Sequence, residues 1–228
     1  MQVLIDISVI MLAYVLGSIP FGLLIVKLST GKDIRQVASG RTGGTNAARA
    51  AGPWAGVLTG LMDGLKGAVA VWIARAVLPG GDWLHVAAGL AAILGHNYSL
   101  FIIERDDQGH LRLRGGAGGG TTVGGAIGLW FPAAYIILPI ALLVFFGIGY
   151  ASVTTMSIAV IAVIIFSVRY LLRLSPPSYI LYGVAALVLL MWALRPNIRA
   201  LSEGRERFHG WRPWRKKQQH DSGTQQGS

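Results

Sequence analysis

The sequence predicts an all-α integral membrane protein: a bundle of seven transmembrane helices, with the N-terminus outside and the C-terminus in the cytoplasm. Three observations carry that prediction. Hydrophobic residues make up 53% of the 228 and charged residues 13%, about half the charged share of a soluble protein, and mean hydropathy is +0.55. Apolar runs of roughly twenty residues, the length that crosses about 30 Å of hydrocarbon, recur along the chain. The twenty Lys and Arg, which set a formal net charge of +10, gather in a few segments between those runs. That is the pattern of cytoplasmic loops rather than of a nucleic-acid-binding face, and no nucleic-acid partner is expected.

The first run, residues 3–26, contains Asp6 and has no Lys or Arg before Lys27. It lacks the basic start of a cleaved signal peptide and reads as the first span. Residues 54–78, 84–103 and 179–194 are three more. Residues 121–168 form one long apolar tract, broken at Phe131-Pro132 and around Gly147-Ile148-Gly149, both turn signals. Charge decides how that tract is divided: residues 27–53 hold five Lys or Arg, 105–120 three, 195–228 eight, and 79–83 none. If all three basic segments face the cytoplasm, an even number of crossings separates the second from the third, so 121–168 supplies three. Arg169 and Arg173 then fall outside. Residues 1–209 are read as the transmembrane domain and 210–228, basic and rich in Gln, Ser and Gly, as a disordered cytoplasmic tail near anionic lipid. The absence of Cys excludes disulfides, thiolate nucleophiles and palmitoylation.

Three polar segments carry the candidate chemistry. The first loop contains "SGRTGGTNAAR", residues 39–49, with hydroxyls, an amide and arginines around a glycine turn before an Ala-rich helix start. It is either an anion cradle or an ordinary turn, and it is not a Walker loop. The second loop opens on "GHNY" with His96 at the end of a span. It closes on "RLRGGAGGGTTVGG", residues 112–125, with seven glycines and two arginines. So much flexible backbone is costly to order, and close approach of backbone N–H groups to phosphate at a helix start would repay it. The third, "RPNIRALSEGRERFHG", holds Asn197, Glu206 and several arginines beyond the last span. Asp63 and Lys66 lie three apart on one helical face and can pair at depth. Ser152, in "GYASVTT", falls beside the three loops. Five scattered histidines give no metal site, no cofactor is implied, and no Ser-His-Asp, Cys-His or paired-carboxylate set is readable.

Taken jointly, "GSIPFG", "GKDIRQVASGRTGGTNAAR", "LMDGLKG", "GHNY", "RGGAGGGTT", "YAS" and "RPNIRALSEGRE" resemble the bacterial acyl-phosphate:glycerol-3-phosphate acyltransferases, the PlsY family, in order and spacing. The resemblance implies a seven-helix enzyme of phospholipid synthesis in the bacterial inner (cytoplasmic) membrane, its active site on the cytoplasmic side. It would transfer a fatty acyl group from acyl phosphate to the 1-hydroxyl of glycerol 3-phosphate, giving lysophosphatidic acid; its partners are glycerol 3-phosphate, acyl phosphate and membrane lipids. It implies catalytic roles for Ser39, Arg49, Ser152 and Asn197 and a role for Gly115 and Gly116 of the glycine loop; the chemistry of the loops adds Gly43, Thr45, Asn46, Arg114 and Gly118 as phosphate-binding candidates, with Arg41, Glu206 and, as the fallback base, His96 as further candidates. The chain departs from the family where "KGGKGVAT" becomes "RGGAGGGT", placing Ala117 at a lysine position, and where Arg41 replaces an asparagine. A non-catalytic or donor-altered paralogue binding lipid phosphates is the alternative those departures leave open, and an anion transporter is a further one.

Overall fold

The computed structural model describes residues 1–105 and 108–209; the expected tail, 210–228, lies outside the described residues. The helices are α1 (Gln2–Ser18), α2 (Phe21–Thr30), α3 (Gly44–Ala51), α4 (Pro53–Val77), α5 (Asp82–Asn97), α6 (Gly119–Leu129), α7 (Ala133–Gly147), α8 (Ala151–Leu171), α9 (Ser178–Ala193) and α10 (Arg195–Ser202). The expected first span is broken: Pro20 cannot continue a helix that needs its N–H, and α1 stops at Ser18 while α2 restarts at Phe21. The Ile19 carbonyl left at the break accepts from Lys66 Nζ at 2.9 Å. The tract 121–168 divides at the two predicted breaks, with α6, α7 and α8 separated by residues 130–132 and 148–150.

Among the described residues the architecture departs from all-α in one hairpin and in an isolated antiparallel bridge between Tyr150 and Phe208. Strands β1 (Ile103–Arg105) and β2 (Leu111–Leu113) pair antiparallel in the second loop, Glu104 opposite Arg112. The span expected to reach residue 103 therefore ends at Asn97. By length and composition, residues 2–30 taken across their break, α4 and α8 are long and apolar enough to cross a membrane, and α9 with α10 forms a further such segment bent by 69°. Helix α6, at 11 residues, is only about 16 Å long.

The helices pack through small residues. A Cβ on Gly124 of α6 would sit 1.8 Å from the Gly64 carbonyl oxygen of α4, and one on Gly67 of α4 would sit 2.4 Å from the Thr121 carbonyl oxygen. Such close backbone contact is how helices associate where lipid supplies no hydrophobic drive. Behind that seam Val71, Ile93, Val123, Phe166, Tyr182 and Leu190 form the main buried cluster, and the Tyr182 hydroxyl donates to the Thr122 carbonyl at 2.7 Å. Large apolar side chains such as Leu142, Leu143, Ile164 and Val188 point outward, which is stable against acyl chains and not against water. The chain is an integral membrane protein.

The two ends of the bundle differ. At one, Arg75 donates to the Gly128 and Leu129 carbonyls at the C-terminus of α6, and Arg169 lies 4.0 Å from the Trp130 ring centroid. At the other, the three basic segments converge.

Candidate active site

At that second end lies a cavity of about 820 Å³, walled by the first loop, the glycine loop, the start of α8 and the α9–α10 bend. Every candidate site residue read from the sequence lines it. Their local roles differ more than their shared address suggests.

The first loop is folded by its own side chains. Asp33 accepts from the Arg35 backbone N–H at 2.9 Å and caps the 3-10 turn Ile34–Gln36, and the Arg35 guanidinium beside it holds the Asp33 carboxyl down at about 2. Asn46 is 2% exposed, and its amide nitrogen donates to the carbonyls of Ile34, Val37 and Arg41 at 3.1, 2.9 and 2.9 Å. An amide has two N–H donors, so Asn46 ties the loop together with its nitrogen engaged by backbone carbonyls. Ser39 and Thr45 face the cavity from this folded loop, and Gly43 beside them leaves its Cβ direction open.

Of the arginines that line the cavity, Arg41, Arg49 and Arg114 come from the first loop and the glycine loop. Arg41 is half-buried and donates to the carbonyls of Gly116 and Ala193, joining the first loop to the glycine loop and to the end of α9. Burial, and then Arg114, push its guanidinium below the ordinary value. Arg49, in the last turn of α3, touches His209 Nε2. Arg114 pairs with Glu104 of the hairpin at 2.8 Å, and Glu104 also reaches Arg35 at 3.5 Å. Among the described residues Arg41, half-buried, and Arg49, exposed, form no ion pair, and a guanidinium at the cavity is suited to an anionic ligand.

The glycine loop is shaped by His96. The Gly116 N–H donates to the His96 carbonyl at 2.9 Å, so it is engaged rather than open to phosphate. A Cβ at Gly115 would lie 2.0 Å from that carbonyl oxygen, and one at Gly116 would lie 2.0 Å from His96 Nε2. Gly118, at φ +92°, is the N-cap of α6 and carries no side-chain cap. The first-turn N–H groups of α6 and the positive end of its dipole thus face the cavity through Gly119 and Gly120.

On the far wall Ser152 opens α8. Its hydroxyl donates to Glu206 Oε2 and its backbone N–H to Glu206 Oε1 at 3.3 Å, so Glu206 caps the helix and leaves the Ser152 oxygen lone pairs free. Asn197 approaches from α10. Asp63 and Asn97 are among the cavity residues that sequence reasoning did not name as site residues. Asp63, read only as the partner of Lys66, lies against the cavity and within 3.5 Å of His96. Asn97 is 4% exposed, and among the described residues neither polar atom of its amide has a partner. Its place in "GHNY" was visible, but nothing in the sequence signals an unpaired buried amide.

A family model described as glycerol-3-phosphate acyltransferase matches residues 7–204. A glycerol-3-phosphate acyltransferase of Rubrobacter xylanophilus is 37% identical over 209 residues, covering 92% of this chain and 98% of its own. One from Thermus thermophilus is 37% identical over 204 residues, covering 89% and 94%. The crystal structure of PlsY (YgiH), an integral membrane glycerol 3-phosphate acyltransferase, in its glycerol 3-phosphate form superposes with a TM-score of 0.77 at 31% identity, covering 90% of this chain and 96% of that one. Its lysophosphatidic acid form gives 0.68 at 30% identity, covering 89% and 94%.

Proposed function

The chain belongs to the glycerol-3-phosphate acyltransferase family, and on that premise we propose that it transfers a fatty acyl group from acyl phosphate to the 1-hydroxyl of glycerol 3-phosphate, releasing lysophosphatidic acid and phosphate. The observation that carries this is the ring of Arg41, Arg49 and Arg114 around a cavity floored by an uncapped helix N-terminus. Two phosphorylated substrates need cations and N–H donors, and this end of the bundle supplies both.

Acyl phosphate is a mixed anhydride with a good leaving group, so alignment of the hydroxyl with the carbonyl supplies much of the rate. The hydroxyl oxygen bonds to the carbonyl carbon, the carbon–oxygen bond to phosphate breaks, and the leaving phosphate takes the hydroxyl proton. Arg49 and Arg114 hold phosphate through the planar guanidinium fork, while Ser39, Thr45, Ser152 and Asn197 orient the reacting groups. Seven passes, with the N-terminus outside, put this cavity at the cytoplasmic face of the bacterial inner membrane. The same excess of Lys and Arg that ends in the cavity loops supports that orientation.

The test is purified protein in detergent micelles with glycerol 3-phosphate and, in turn, acyl phosphate, acyl-CoA and acyl carrier protein. Lysophosphatidic acid is expected from acyl phosphate alone. Product from acyl-CoA but not acyl phosphate overturns the donor, and no product from any donor overturns the enzyme.

A further inference from the structure

Directly behind the glycine loop, Asp63 and Lys66 of α4 meet His96 of α5, at 3%, 5% and 5% exposure. Lys66 Nζ lies 2.9 Å from Asp63 Oδ1, 2.9 Å from the Ile19 carbonyl and 2.9 Å from His96 Nδ1. An ammonium has N–H donors and no acceptor, so in the contact with His96 Nδ1 it is the donor. His96 Nδ1 must then present a lone pair. A doubly protonated ring would set an N–H against the ammonium, two like charges in a buried site. The single ring proton therefore sits on Nε2.

Nε2 points at the glycine loop. A Cβ on Gly116 would lie 2.0 Å from it, so only a glycine lets the loop backbone lie against that edge of the ring, where His96 lines the cavity. Resting on the acyltransferase reading, we infer that His96 is a hydrogen-bond donor, through Nε2–H, to a phosphoryl oxygen of the bound substrate, and that Lys66 and Asp63 are positioning residues that fix its tautomer from behind. His96 cannot serve as the base for the glycerol hydroxyl, because Nε2 already carries its proton and Nδ1 is held by Lys66. The acceptor oxygen belongs either to glycerol 3-phosphate or to the acyl phosphate.

The full chain labelled with 15N-histidine, in detergent micelles, tests this by long-range 1H–15N correlation, with His96→Gln identifying the His96 signals. The Nε2–H tautomer is expected. Glycerol 3-phosphate or a non-hydrolysable acyl phosphonate is then added, and the one that shifts Nε2 names the source of the oxygen. An Nδ1–H tautomer, or an Nε2 unmoved by both, overturns the proposal. Kinetics supply the second readout. His96→Gln, whose amide nitrogen can donate from near the Nε2 position, should keep more kcat/KM than His96→Ala, which should lose on the order of tenfold to a hundredfold. Lys66→Met should lower kcat/KM and leave the His96 signals as a mixture of tautomers. Equal loss in Gln and Ala points to a proton acceptor and sinks the donor role. Wild-type turnover with acyl phosphate tests the acyltransferase reading separately, so a working enzyme with the wrong tautomer refutes this inference alone.

Discussion

Arg49 shows how one side chain combines structure and chemistry. Its guanidinium touches His209 Nε2, and the His209 backbone N–H donates to the Gly149 carbonyl at 2.6 Å, so the segment after α10 is drawn onto the cavity wall. Arg49→Ala removes a cation without removing core, and should cut acyl transfer about a hundredfold or more while leaving the melting temperature near wild type. Arg49→Lys should restore part of it, since a point charge lacks the fork. Turnover of Arg49→Ala close to wild type would remove this residue from the site. Burial first, then Arg49, holds His209 below the ordinary histidine value, with Glu206 opposing. A histidine depressed in the folded state gives stability that is present above its unfolded value, about 6.5, and lost as pH falls through its folded value. Backbone exchange protection near residue 209 should therefore fall from about pH 7 to about pH 5 beyond the intrinsic effect, and His209→Gln should flatten the change. Unchanged protection in the wild type would show that the contact does not fasten this segment. At this scale the candidates read from the sequence line one cavity, and their contacts were not legible. Gly115 and Gly116 read as room for phosphate, yet the atoms a Cβ would strike belong to His96, nineteen and twenty positions earlier, a distance no local pattern encodes. The contacts of Asn46 were hidden for the same reason, because its acceptors are carbonyls brought round by a turn.

Among the elements, the α4–α6 seam decides where the glycine loop can sit. Helix α6 begins at Gly119, one residue after the αL cap Gly118, and runs against α4 with Gly124 facing the Gly64 carbonyl. Gly124→Ala forces a Cβ into backbone that cannot turn aside, and should destabilise the protein by about 1–3 kcal/mol, seen as a lower melting temperature in detergent. Gly60→Ala, on α4 with nothing within 4 Å of its Cβ direction, should leave stability unchanged or raise it by roughly 0.5–1 kcal/mol. Equal melting temperatures for the two variants would mean the seam is loosely packed. Element boundaries marked by Pro and Gly were legible: Pro132 and Gly149 fall in the gaps that bound α7. The β1–β2 hairpin was not. Three-residue strands with largely exposed side chains show no alternation to read, and Ile103 was absorbed into the preceding apolar run. Pro20 sits inside an equally apolar run, where composition hides the break.

The whole molecule is polarised, and its charge distribution and cavity point the same way. The first loop, the glycine loop and the segment beyond α9 meet at one cavity, which requires α6 and α7 to run out and back, and α8 and α9 to do the same. Arg75 and Arg169 are anchored at the opposite end through the α6 C-terminus and Trp130, where guanidinium groups can reach the lipid–water boundary. Positive charge favours the cytoplasm by number, and the cavity end holds the larger share. Because the chain has no cysteine, single cysteines report sidedness without background. Gln36→Cys in the first loop, Asn197→Cys beside the cavity and Gly81→Cys in the α4–α5 turn sample both ends. With a membrane-impermeant thiol reagent on intact cells, Gly81→Cys should label at once, while Gln36→Cys and Asn197→Cys should label only after the membrane is opened. Labelling of Gln36→Cys and Asn197→Cys from outside, with Gly81→Cys protected, would invert the protein and place the cavity away from the cytoplasm. Labelling that separates Gln36→Cys from Asn197→Cys would break the even crossing count between the first loop and α10, and with it the seven-span arrangement.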